Sequence, residues 1–141
     1  MRLGLSSEAA PDASLGDLIR FATRRGLATL ELREGDAHGI APGSSATDAA
    51  AAAESVRAAG LTIAGYRTDR LEDADWLARL SGSLAAAVLL AGPVPLTARV
   101  ARGERIKAAR GEVAIVLRGE SAVWDGLVCH AAGLPLAWEA D

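Results

Sequence analysis

The chain has 141 residues, half of them apolar, which is enough for one sizeable hydrophobic core and argues against disorder. Its formal charge of −3, from 15 basic and 18 acidic residues, does not supply the basic surface that binding nucleic-acid phosphates requires. A lone cysteine, Cys129, excludes an internal disulfide and a cysteine-based zinc site, and no apolar stretch is long enough to cross a bilayer. These features lead us to expect a reducing, cytoplasmic setting and a small-molecule ligand, with neither nucleic acid nor membrane as partner.

The first apolar run, residues 3–6, starts without the basic region, apolar stretch and cleavage site of a signal peptide. Ser14 then offers a capping hydroxyl, with Asp17 three residues on. Leu15, Leu18, Ile19 and Ala22 form the inward stripe of a helix that should stop before Gly26, and Arg20, Arg24 and Arg25 complement its dipole. Residues 28–33 read as a second strand. The Gly-, Ser- and Pro-containing segment 34–46 is longer than an ordinary strand-to-helix connection, and long loops at the ligand end of a sheet tend to be functional.

Thr47 and Asp48 open an alanine-rich helix that runs to Ala59 and is capped by Gly60, followed by a third strand over residues 61–67. Residues 73–80 predict a short helix with Trp76, Leu77 and Leu80 inward, and residues 86–91 a fourth strand. A helix over 96–110 is weakened by Gly103. A fifth strand over 113–118 leads to a helix over 121–132 with Trp124, Leu127 and Val128 inward, Cys129 as a packed thiol, remote His130 as a structural residue and Gly133 as the stop. Residues 134–139 form a sixth strand.

Buried strands alternating with helices imply a parallel sheet, because a helical crossover returns the chain to start the next strand in the same direction. Ligands bind beyond the carboxyl ends of such strands. The residues that close the runs are therefore the ones to watch: Ser6, Ser7, Glu31, Arg33, Tyr66, Arg67, Arg118, Glu120, Glu139 and Asp141. The expected architecture is an α/β fold, an incomplete parallel (β/α) barrel of about six units in sequential order, forming one domain over 1–141. A doubly wound open sheet is the alternative.

The segment 26–33 with the Gly35-Asp36-Ala37-His38-Gly39-Ile40 loop resembles the second strand and loop of the xylose-isomerase-like TIM barrels, the sugar phosphate isomerase/epimerase superfamily. The helix ending at Gly60 and the strand after it are similar to that superfamily's third unit, and Trp138-Glu139 to its sixth strand, where a Trp-Asp pair is common. The resemblance implies a (β/α)8 barrel and, in active members, a divalent metal held by carboxylates and a histidine at the later strand ends. Such barrels need about 200 residues or more, and this chain ends after its sixth run. Where the family's fifth strand usually carries a metal-binding glutamate stands Arg118, which cannot ligate a cation. Glu120, two residues on, would offer a displaced carboxylate, and Glu139 with Asp141 keeps carboxylate chemistry at the sixth strand.

The candidate sites follow from this. Glu31, His38 and Glu139 are candidates for catalysis, Arg33, Tyr66, Arg67 and Arg118 for substrate binding, and Glu120, Glu139 and Asp141 for a metal that is not expected to bind tightly. Each has a plainer reading: Glu31 and Arg33 pair at the rim, His38 is a solvated loop residue, and Arg67, Arg70 and Arg118 face water. The leading function is a compact isomerase/epimerase-like protein without a complete metal site that binds a small polar or anionic metabolite. The alternatives are a metal-dependent isomerase or epimerase completed across a subunit interface, with proton abstraction beside a carbonyl, and a non-catalytic scaffold or truncated product. Unpaired first and sixth strands lead us to expect a homodimer or higher oligomer.

Overall fold

The computed structural model of the chain describes residues 2–119 and 122–139. The elements are β1 (Gly4–Ser6), α1 (Leu15–Arg24), β2 (Thr29–Arg33), α2 (Ala46–Ala58), β3 (Thr62–Thr68), α3 (Ala74–Leu84), β4 (Val88–Leu90), α4 (Leu96–Ala108), β5 (Val113–Leu117), α5 (Ala122–Ala131) and β6 (Leu136–Trp138), with a 3-10 turn, Ser7–Ala9, after β1. The six strands are parallel in the order β1-β2-β3-β4-β5-β6. With every strand beside its sequence neighbour, right-handed crossovers curl the sheet one way into a half-barrel. The doubly wound alternative needs a reversal of strand order and is overturned. No described helix is long and apolar enough to cross a membrane.

A single contact demonstrates the curl. Arg67 in β3 and Glu139, just past β6, share two hydrogen bonds. In a flat sheet, three strand spacings would hold their backbones about 14 Å apart with side chains standing upright. They meet because the sheet is concave between them.

The two faces of the sheet differ in chemistry. Leu30, Leu32 and Tyr66 pack on the helix side with Leu18 and Ala22 of α1, Ala49, Ala53 and Val56 of α2, and Leu80 and Leu84 of α3. Val88, Leu90, Val113, Ile115 and Leu117 continue that face against Leu77 and Ala78 of α3, Ile106 of α4 and Cys129 of α5. Helix α3 thus contributes to both clusters, and Trp76 packs against each. Alternate residues, among them Glu31, Arg33, Arg67, Leu89 and Val116, face the concavity. A register slip between Leu30 and Glu31 pairs Leu30 with Ile63 but Glu31 with Gly65, which leaves Ala64 unmatched and puts both Ile63 and Tyr66 on the helix side.

The caps account for the helix ends. Ser14, Ser45 and Asp73 accept hydrogen bonds from the amides of Asp17, Asp48 and Trp76. Helix α2 therefore starts earlier than Thr47, and α3 runs one turn past the expected end. Gly103 does not break α4: it is buried, and a Cβ there would lie 3.1 Å from Leu134 Cδ1 and 3.4 Å from Ile115 Cδ1, so it serves close helix-to-sheet packing. In α5 the expected inward positions Leu127 and Val128 are corrected, because they are 56% and 51% exposed while Gly126 and Cys129 face inward; the Trp124 side chain lies outside the described residues. Four apolar residues at 126–129 span more than one helix face, so periodicity alone does not set the phase, and Gly126 packs towards Leu117 and Leu136.

Candidate functional site

Among the described residues, Ser6, Glu31, Arg33, Arg67 and Glu139 lie at one rim, the first three tied together by the turn after β1. Ser6 Oγ donates to Glu31 Oε1 at 3.3 Å, and Arg33 Nη1 donates to Glu8 Oε1 at 2.9 Å. Glu31 and Arg33 therefore do not pair with each other as expected; each takes a partner from the first loop. Buried Ser7 ties that loop down by accepting the Arg33 amide at 2.8 Å and donating to Asp36 Oδ2 at 2.6 Å.

Across the concavity, Arg67 Nη1 donates to Glu139 Oε1 at 3.1 Å and Nη2 to Oε2 at 2.9 Å, a fork-to-carboxylate match. The two side chains keep 20% and 29% of their exposure. The fork holds the Glu139 carboxyl below its ordinary range, and the carboxylate in turn pushes Arg67 up.

This pair forms one wall of a cleft of ≈ 450 Å³ outside the ends of β3 to β6, floored by Val116 and lined by Arg99, Arg118 and Asp125 as well. Arg99 comes from the first turn of α4. Its Nη1 donates to Val116 O at 2.6 Å and its Nε to Val94 O at 2.9 Å, and burial pushes its pKa down. Sequence reasoning missed it. The available signal was its position, since a cation in the first turn opposes the helix dipole and sits at the ligand end of the sheet. A groove of ≈ 490 Å³ between α3 and α4, lined by Asp73, Asp75, Arg102 and Arg105, lies among the helices instead.

Two expected site residues stand elsewhere. Tyr66 is fully buried on the helix side, its hydroxyl donates to Ile40 O at 3.4 Å, and burial pushes its pKa up. Its ring meets those of His38 and Trp76 edge-on, each at 6.4 Å between centroids. His38 is 5% exposed, so it is not a solvated loop histidine. Its Nδ1 accepts the Ile40 amide at 3.2 Å, which assigns the proton to Nε2 and the 2.7 Å contact with Arg33 O to a donated bond. Together with the Trp76 Nε1 bond to Ser44 O at 3.2 Å, these contacts staple the long loop over the end of the first core cluster. Arg70 is exposed and does not line the cleft.

One further carboxyl is perturbed. Burial, then the neighbouring Glu72, pushes Glu34 up, opposed by the hydroxyl of Thr68, which donates to Glu34 Oε2. Among the described residues, Glu34 Oε1 is buried and accepts no hydrogen bond.

The metal set implied by the resemblance is not assembled among the described residues, where no three of His, Cys, Asp or Glu converge as cation ligands. Glu139 is committed to Arg67 and Arg118 stands exposed at the end of β5, while Glu120 and Asp141 lie outside the described residues.

No family model and no curated protein sequence matches the chain. The fold does have a counterpart among solved structures: the xylose isomerase domain protein from Planctomyces limnophilus superposes with a TM-score of 0.67 at 13% identity. The match covers 99% of this chain and 62% of that one, so the chain spans less than two thirds of its neighbour's length. Identity this low shows a shared fold, the curled parallel (β/α) architecture, and leaves function to the site.

Proposed function

We propose that the cleft beyond β3 to β6 binds a small anionic metabolite, and that the protein is a compact sugar phosphate isomerase/epimerase-like chain without a complete metal site. The observation that carries this reading is the convergence of Arg67, Arg99 and Arg118 on one cleft at the carboxyl end of the sheet. Guanidinium groups are permanently charged and present planar donor forks suited to phosphate or carboxylate. The backbone bonds of Arg99 hold it in place before a ligand arrives, which lowers the ordering cost of binding. The likeness to a xylose isomerase domain protein supports the sugar class.

Calorimetric titration with a sugar phosphate and with the parent sugar tests the reading. Saturable binding of the phosphate ester alone, weakened at least tenfold in Arg99→Met, is expected, and equal or absent binding of the two refutes it. The metal clause is separate: tight, stoichiometric binding of Mn2+ or Mg2+ by the purified protein would overturn it.

A further inference from the structure

We propose that Glu139 is an internal competitor, a carboxylate from the chain itself that occupies the Arg67 fork and is displaced when an anionic ligand enters the cleft. The inference rests on the reading of the cleft as an anion site and adds how that site is controlled. Arg67 stands on the concave face at the end of β3, and Glu139 reaches it from the far side, 72 residues away in sequence. Both guanidinium nitrogens that a ligand would use are taken, at 3.1 and 2.9 Å, by the two oxygens of one planar carboxylate. That is the geometry a carboxylate or phosphate ligand would adopt there.

The arrangement suits exchange. The pair lines the cleft and is neither fully buried nor fully exposed. Releasing Glu139 from Arg67 therefore leaves a carboxylate that water can solvate, close to the positive field of Arg118 and Arg33, which both act on it. Glu139 directly follows β6, and its amide donates to Leu117 O at 2.9 Å and anchors the backbone, so its side chain can swing without breaking the sheet. A ligand would thus exchange one carboxylate for another on a fork already in place.

The test is titration of wild type, Glu139→Gln, Glu139→Asp and Glu31→Gln with inorganic phosphate and, separately, with malonate, at low ionic strength. An exposed-to-half-buried ion pair is worth up to about 1 kcal/mol, so removing the competitor should tighten binding by about fivefold. Glu139→Asp, one methylene shorter and still folded if Gln is not tolerated, should tighten it by a smaller factor. Glu31→Gln removes the same charge near Arg67 without touching the fork, and it should change the affinity less than Glu139→Gln. Preference for phosphate over malonate, or the reverse, separates the two ligand chemistries. Unchanged or weaker binding in both Glu139 variants overturns the competitor while leaving the anion site standing. An equal gain in Glu31→Gln also overturns it, in favour of a general field effect. No binding of either probe to any variant overturns both the competitor and the site.

Discussion

Glu34 and Glu139 carry opposite signs in the stability of the fold. Glu34 is pushed up chiefly by burial, so the folded chain holds its proton above the ordinary glutamate value of about 4.3. Stability attributable to it falls as pH rises from that value through the raised one. Glu34→Gln should therefore raise the melting temperature at pH 7 and leave it unchanged near pH 4. Circular dichroism melts at the two values check this, and a loss at pH 7 would mean that the Thr68 bond outweighs burial. Glu139 is depressed by Arg67, so its contribution is present above the ordinary value and is lost as pH falls through its folded value. Arg67→Ala should cost about 1 kcal/mol at pH 7 and progressively less in acid. Leu30, 1% exposed in the first cluster, gives the contrasting case: Leu30→Asp buries an unpaired charge and should unfold the protein, whereas exposed Arg118→Ala should stay within about 0.5 kcal/mol of wild type. Strand alternation accounts for what the sequence revealed of the site. Tyr66 and Arg67 are adjacent, so only one could face the cleft. That it is Arg67 depended on a register slip beside Leu30 that no local pattern announces.

Among the elements, the glycines separate propensity from packing. Gly103 lies inside α4, where alanine gains up to about 1 kcal/mol of helix propensity. Its new Cβ would meet only the ends of the Leu134 and Ile115 side chains, at 3.1 and 3.4 Å. Gly103→Ala is therefore expected to be close to neutral. At Gly111, just before β5, a Cβ would lie 2.6 Å from Ala78 Cα and 2.7 Å from Ile106 Cγ2. The backbone of α3 cannot rotate away, and Gly111→Ala should cost about 1–3 kcal/mol. Urea midpoints at unchanged slope would show the difference, and equal midpoints would refute the packing account. The capping serine Ser14 made the start of α1 legible in the sequence, whereas α2 was read from Thr47 and Asp48 and its cap, Ser45, lies further upstream. The phase of α5 was not legible, since the run from Gly126 to Cys129 is apolar all round and its periodicity singles out no inward face.

For the whole molecule, the sequential strand order was legible because strands alternating with helices admit few parallel topologies, and one-directional winding is the simplest. What the described sheet does with its flanks was not, because edges are a property of the assembled sheet. β1 and β6 each have a single strand neighbour among the described residues. Beside them stand Leu3, Leu127, Val128 and Trp138, at 60%, 56%, 51% and 63% exposure. Three of these four cluster on α5 and β6, and an apolar flank next to unpaired backbone groups is the combination that templates association. A second copy of the chain would cover it, and we expect a homodimer or higher oligomer at micromolar concentration by light scattering. Trp138→Lys combined with Leu127→Lys should shift the population toward monomer without loss of helical signal, because both side chains are more than half exposed. Since Trp138 immediately precedes Glu139, dimer dissociation should also change the anion affinity of the cleft if β6 is the interface, and leave it unchanged if β1 is. A monodisperse wild-type monomer would refute self-association through either flank.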